Sequence, residues 1–511
     1  MKLSKIIFGF FLTFTISIGF SSYAEKILLI PQDDRPVSLA YTVSTAEKAG
    51  YTIITPPTSY LSGRNRKGSP DKIWNWLKNN ISSADACVLS TDTLIYGGLV
   101  DSRKHNDSMQ ELYLRADRIN ELHNEYPNIP IYAFGTIMRT PYASDNDVEP
   151  YYYGNYGNKI YNLSILQDKV DSGTATKTEI SNLLSLKLSI PSEYIQDWFK
   201  RRQKNDSINR IMINNSKKGI FAYYCLGYDD NSKNSQTTLE ARYLKNEFAN
   251  LSPKVYGSFP GADQLALLLI AKYHVDLHKL NPTFAVIYPL GRGEETIPRY
   301  ENQSIGKTVS DHIIAIGGNI VSNKKPDFVL AVNTPLESTV ESSETINFGM
   351  NKSSTDDFVD KIKFIRSKNI PVSIADVYFS NGSDNTLMNS LMKNNLLYDI
   401  SAYNGWNTAS NTVGYSIAQA VLSQYMSKKE HDNMLTEQYI DNWAYQANVR
   451  KKISLILKNS KNKNFITDDI EKEMSNELQD FANKKLKLNN KIIKTKFPWK
   501  RLFEIEVKVS N

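Results

Sequence analysis

The residues able to do chemistry fall in a few short stretches. They are Pro31-Gln32-Asp33-Asp34-Arg35-Pro36, Ser90-Thr91-Asp92, Thr136-Ile137-Met138-Arg139, Gly227-Tyr228-Asp229-Asp230, Pro260-Gly261-Ala262-Asp263-Gln264, Ala375 to Asp384 and Tyr403 to Asn411. Together they offer carboxylates, amides, arginines and aromatic rings. Paired carboxylates whose environments push their pKa values apart divide into a proton donor and an ionised base or nucleophile, which is how glycosidic bonds are usually cleaved. The same oxygens suit a hard cation such as Mg²⁺ or Ca²⁺, and the residue types alone do not separate the two uses. Other chemistries lack their signatures: there is no Gly-x-Ser-x-Gly elbow, phosphate loop, dinucleotide-binding Gly-x-Gly-x-x-Gly, His-Glu-x-x-His or Cys-x-x-Cys.

Each stretch follows an apolar run short enough to be a strand. Ile27 to Ile30, Tyr51 to Thr55, Ala86 to Ser90, Ile129 to Phe134, Gly219 to Gly227, Val255 to Ser258, Phe284 to Tyr288, Phe328 to Val332, Ile370 to Ala375 and Ile400 to Tyr403 are the candidates. Between most of them lie segments with apolar residues at helical spacing, such as Asp107 to Tyr126, Asp263 to Tyr273 and Ala409 to Met426. This alternation predicts an α/β fold of parallel β/α units in two or more doubly wound, Rossmann-like layers, with a (β/α)8 barrel as the alternative. In either case the clusters share one address, the carboxyl ends of the strands, where ligands bind in such folds. We expect an N-terminal α/β unit over 25–150, a helical insertion over 151–218, a second α/β region carrying most of the site over 219–426, and a mostly helical C-terminal extension over 427–511. No internal repeat is apparent.

The chain has 511 residues, 41% hydrophobic and 23% charged, the balance of a globular protein of more than one domain. Lys2 and Lys5 precede an apolar run from Ile6 to Phe20 and then Ser22-Tyr23-Ala24, the pattern of a signal peptide over 1–24. Export follows as the expectation, to a periplasmic or extracellular location. No later segment is apolar enough for stable membrane insertion. Losing Lys2 and Lys5 takes the formal charge from +7 to +5, a dispersed excess without the dense basic stripe of a nucleic-acid groove. Cys87 and Cys225 sit inside apolar runs and read as buried free thiols.

Several long motifs in order, Leu29 to Val37, Leu89 to Val100, Ser102-Arg103, Pro260 to Asp263, Asn381 to Asp384, Gly405 to Thr408 and Phe497-Pro498-Trp499, resemble the bacterial domain-of-unknown-function family 4127. The likeness spans about Lys26 to Glu504, with Gln32 standing where similar proteins have Leu. It implies one integrated architecture and no catalytic assignment.

Two functions fit these residues. The first is an exported hydrolase of a carbohydrate or cell-envelope glycan, with Asp34, Asp230 and Asp376 as acid, base or nucleophile. In that reading Asp33, Arg35, Asp92, Arg139, Asp263, Asn381, Asp384, Asn404, Trp406, Asn407 and Asn411 hold the substrate. It needs no cofactor, although Mg²⁺ or Ca²⁺ fits the donors. The second is a noncatalytic ligand- or metal-ion-binding envelope protein that uses the same residues only to grip. Individually they also have structural uses: an Asp past a strand caps helices and forms turns, and Trp406 suits a core as well as a sugar platform.

Overall fold

The computed structural model describes residues 24–349, 351–459 and 465–510, so nearly all of the leader read at 1–24 lies outside it. In the first half the strands are β1 (Lys26–Ile30), β2 (Thr52–Ile54), β3 (Ala86–Ser90), β4 (Ile131–Ile137), β5 (Tyr223–Tyr228) and β6 (Tyr256–Pro260). They form one parallel sheet in the order β2-β1-β3-β4-β5-β6. Alternation along each strand sends successive side chains to opposite faces. Ile27, Leu29, Val88 and Cys225 enter one core, while Leu28, Ile30, Leu89 and Leu226 enter another. Helices cover both faces, as the near-continuous apolar runs of β1, β3, β4 and β5 require.

The second half contributes β7 (Thr283–Ile287), β8 (Asn319–Ile320), β9 (Phe328–Asn333), β10 (Val340–Glu341), β11 (Val372–Asp376), β12 (Phe379–Ser380) and β13 (Ala402–Asn404). Five of these make a second parallel sheet, β13-β11-β9-β7-β8, and β10 pairs with β12 beside it. Counted from its own first strand, each sheet runs 2-1-3-4-5, with a sixth strand added in the first, so the two halves repeat one doubly wound topology. The described strands thus lie in open sheets with free edges rather than in one barrel. The chain ends in helices Lys428–Gln438, Arg450–Asn459 and Asp468–Lys485, with a π-helical stretch Tyr439–Val449 after the first, and the antiparallel pair β14 (Ile492–Lys496) and β15 (Glu506–Ser510).

Between the sheets lie two helices with no exposed face. Every residue from Leu265 to Val275 in the helix Leu265–Leu277 is buried, and so is every residue of the helix Ala409–Ser423. They pack on each other, and a single apolar core runs from Ile27 in the first sheet to Ile374 in the second. A helix buried all round suits this position and no surface one. Within 151–218, helices Tyr153–Asp171 and Lys177–Leu188 enclose a satellite core around Tyr153, Leu163 and Trp198. The third helix, Ser192–Lys217, continues from that core onto the first sheet through Ile208, Met212 and Ile213. Pro191 stands just ahead of its first turn. No helix among the described residues is long and apolar enough to cross a membrane.

Gly414 shows how closely the central layer packs. A Cβ there would lie 2.3 Å from Gln264 Cγ and 3.0 Å from His312 Cδ2. Gly414→Val is therefore expected to destabilise the protein by about 1–3 kcal/mol through overpacking. Equilibrium denaturant unfolding checks this, and an unchanged midpoint would mean that the layer has slack.

Candidate functional site

The carboxyl ends of both sheets open on one cleft of about 960 Å³. Its geometry starts from Arg35, in the loop after β1. The guanidinium donates through Nε to Asp33 Oδ2 at 2.8 Å, and through Nη2 and Nη1 to Asp263 Oδ1 and Oδ2 at 2.6 and 3.3 Å. Asp263 follows β6. The second half completes the knot: Asn407 Nδ2 donates to Asp263 Oδ2 at 2.6 Å, and Asn411 Oδ1 accepts the backbone N–H groups of Ala262 and Asp263 at 3.1 and 2.9 Å. Burial opposes the Arg35 charge, but Asp263 and Asp33 hold it well above its ordinary pKa. Asn407 sits at φ +74°, a left-handed conformation that Asn tolerates better than most residues, and this turns its amide toward Asp263.

A second cluster forms the opposite wall. Arg103 and Arg139 share Glu149 Oε1 at 3.2 and 2.6 Å. Each also takes one of the paired aspartates after β5, Arg103 with Asp229 at 2.5 Å and Arg139 with Asp230 at 3.1 Å. Arg202 fixes the loop beneath by donating to the carbonyls of Met138 and Arg139 at 2.6 and 3.0 Å. Asp230 is held at φ +29°, unusual for a residue with a Cβ. Burial raises its carboxyl pKa, Arg139 opposes the rise and the neighbouring Asp229 charge adds to it. Even so, its side chain keeps 22% exposure, on the cleft side of the cluster.

The family described as protein of unknown function (DUF4127) matches residues 27–508. The chain belongs to that family. No curated protein matches it significantly.

In this DUF4127 chain the cleft gathers Arg35, Arg139, Asp230, Asp263, Asn381, Asn407 and Asn411 from the residues singled out by sequence. The others lie outside the lining. Asp33 is wholly buried behind Arg35. Asp34, expected as an acid or base, has one oxygen on Trp499 Nε1 at 2.7 Å and the other on Arg66 at 2.5 Å, and it ties down the C-terminal segment. Asp376, a second expected catalyst, points beneath the strand ends. It accepts Asn333 Nδ2, Tyr403 OH and the Asp384 N–H at 2.8, 2.8 and 2.7 Å. Asp384 caps the helix Asn385–Lys393 and accepts the N–H groups of Thr386 and Gly349, each at 2.8 Å. Asn404 donates to Gln419 at 2.9 Å, inside the central layer. Trp406 is buried and packs on Phe503 with ring centres 5.3 Å apart, outside the cleft lining. Asp92 accepts Thr136 Oγ1 at 2.7 Å under the cleft.

Other cleft residues carried no local signal. Glu341, at the end of β10, receives the Tyr300 hydroxyl at 3.1 Å and Asn381 Nδ2 at 3.0 Å. Trp499 lies under the Arg35 guanidinium, 5.6 Å from ring centre to Cζ. Each comes from a loop distant in sequence from the partner that gives it meaning. The Phe497-Pro498-Trp499 motif was visible, but its docking against Asp34 was not. No histidine lines the cleft, and among the described residues no group of three or more His, Cys, Asp or Glu side chains is placed to hold a metal ion.

Burial lifts the Asp92 carboxyl from the usual 3.8 to about 7. The unfolded chain therefore releases this proton at lower pH than the folded one, and the group's contribution to stability, full below about pH 4, is lost as pH rises to about 7. Asp92→Asn cannot titrate, so the variant is expected to gain on the parent by up to a few kcal/mol between those limits. Denaturant unfolding at pH 4.5 and 7.5 measures the change. A pH-independent gap would mean that folding leaves the Asp92 pKa where it stands in the unfolded chain.

Proposed function

We propose that this chain is an exported hydrolase of a carbohydrate or cell-envelope glycan, with Asp230 as the acid/base group. The observation that carries this reading is the position of Asp230. It is the one candidate acid from the sequence that lines the large cleft and stays partly exposed, with a raised pKa and a neighbouring arginine. With its pKa raised to about 6, Asp230 keeps a protonated fraction near neutrality; that form can give its proton to a glycosidic oxygen as the bond breaks, and its conjugate base can later take one from water. Glu341 faces the same cleft from the second half, positioned by Tyr300 and Asn381, and supplies a second carboxyl for the attack step.

The walls suit a sugar. Tyr142 and Tyr161 bring aromatic rings to the lining beside the charged groups, and sugars combine apolar CH faces with hydroxyls. Export rests on the leader pattern ahead of Glu25. One feature favours the noncatalytic reading: most cleft charges are already paired with one another, as in a rigid binding surface.

Asp230→Asn is expected to lower turnover of glycan fragments by about 10²-fold or more, with the melting temperature and glycan binding nearly unchanged. Asp376→Asn is expected to act on stability instead, because it disturbs a fully buried network. Full turnover in Asp230→Asn would remove the assignment. Glycan binding by the parent without hydrolysis would leave the gripping protein as the answer.

A further inference from the structure

Six arginines line the cleft, and five of them are neutralised from within the chain. Arg35 is held by Asp33 and Asp263, Arg103 by Glu149 and Asp229, and Arg139 by Glu149 and Asp230. Arg299 is paired with Glu344 at 2.8 Å and Arg501 with Glu504 at 2.8 Å. Arg450 is the exception: among the described residues it has no carboxylate partner. Its Nη1 donates to the neutral Gln446 Oε1 at 3.0 Å.

Arg450 is nevertheless fixed in place. It follows the π-helical stretch Tyr439–Val449, and its guanidinium lies 5.5 Å from the centre of the Phe503 ring. Gln446 is itself anchored, donating through Nε2 to the Phe503 carbonyl at 3.0 Å. The acid nearest along the helix, Asp441, is fully buried behind Gln446 and does not line the cleft. A guanidinium presents five donors in a planar fork, so most of this one's capacity is uncommitted in a half-buried wall. Holding a charge there is costly unless something completes it.

We infer that Arg450 is the subsite for an anionic oxygen substituent, a carboxylate or a phosphate, on the molecule that occupies the cleft. Combined with the glycan reading on which this substrate class rests, the substrate is an acidic glycan. A neutral sugar would cover the half-buried fork without pairing it, and the penalty falls on the donors that the occupant shields from water. The neighbouring Arg501 also lies over the Phe503 ring, at 5.4 Å, but its charge is paired with Glu504, which leaves the anion to Arg450.

Calorimetric titration of the full mature chain tests this, with inorganic phosphate and glucuronate as probes and glucose as the neutral control. The parent is expected to bind at least one anion more tightly than glucose, with affinity falling as salt rises. Arg450→Gln should weaken that binding about tenfold or more while leaving the melting temperature in place. Arg450→Lys, which keeps the charge and loses the fork, should recover part of it, and it stands in if the Gln variant does not fold. Phosphate preferred over glucuronate identifies a phosphorylated substituent, and the reverse a uronic-acid type. Anion binding unchanged by both variants, or no preference for an anion in the parent, overturns the inference. A turnover assay on the parent separates it from the hydrolase reading: Arg450-dependent anion binding in a parent that turns over no glycan keeps the subsite and discards only the reaction.

Discussion

The Arg35 guanidinium, held between Asp33 and Asp263, is the contact on which the rest of the site depends. It joins the loop after the first strand of one sheet to the loop after the last. Asn407 and Asn411 then attach the other sheet to the same carboxylate and to the backbone beside it. A buried ion pair of this kind adds little net stability, because desolvating three charges offsets much of their attraction. Its value lies in geometry. A planar fork against two carboxylates has one good arrangement, so the three loops are set relative to one another before any ligand arrives.

Beneath that clamp, the polar groups at the strand ends fall into two layers. The lower layer is internally satisfied: Asp376, Asn333, Tyr403 and Asp384 complete one another, and Asp92 rests on Thr136. The upper layer faces the cleft and keeps some capacity free, in Asp230 and above all in Arg450. The lower layer holds the loop origins in place and the upper layer lines the cleft, the division that a preorganised site would require. The C-terminal segment belongs to this arrangement. Trp499 reaches back to Asp34, and Arg64 holds the carbonyls of Trp499 and Lys500, each at 3.1 Å, so the end of the chain becomes a wall of the cleft.

The central helices explain why two sheets behave as one body. Each sheet has the topology of a complete doubly wound unit, yet neither has its own inner helical layer to spare. The helices Leu265–Leu277 and Ala409–Ser423 are buried along nearly their whole length and serve both. Gly414 lets them meet closely. The N-terminus of the second helix carries Ser410 and Asn411, and Glu301 Oε1 accepts the Ser410 N–H at 2.7 Å. Packing in the core and geometry in the cleft are thereby set by the same helix.

The residues by themselves determined ten of the parallel strands, most helices and the edge on which the cleft lies, while β8, β10, β12 and β14 had no predicted run. Period-two and period-3.6 patterns are local, and the polar breaks after Ile30, Ile137, Tyr228, Pro260, Asp376 and Asn404 mark the carboxyl ends directly. The repeat of one topology stayed hidden because fold order is conserved by packing and needs no shared residue identities. Which aspartate faces the cleft was also beyond local pattern. Asp34 and Asp230 both follow strands and both have an acidic neighbour, yet one is tied to Trp499 and Arg66 outside the cleft lining while the other, paired with Arg139, lines it. The difference comes from partners hundreds of residues away and from a left-handed turn at Asp230. Arg450 makes the same point: its type was plain in the sequence, but its lack of an acid partner is a property of everything that does not reach it. Tertiary structure alone decides that, since burial and pairing are set by which distant segments share a wall.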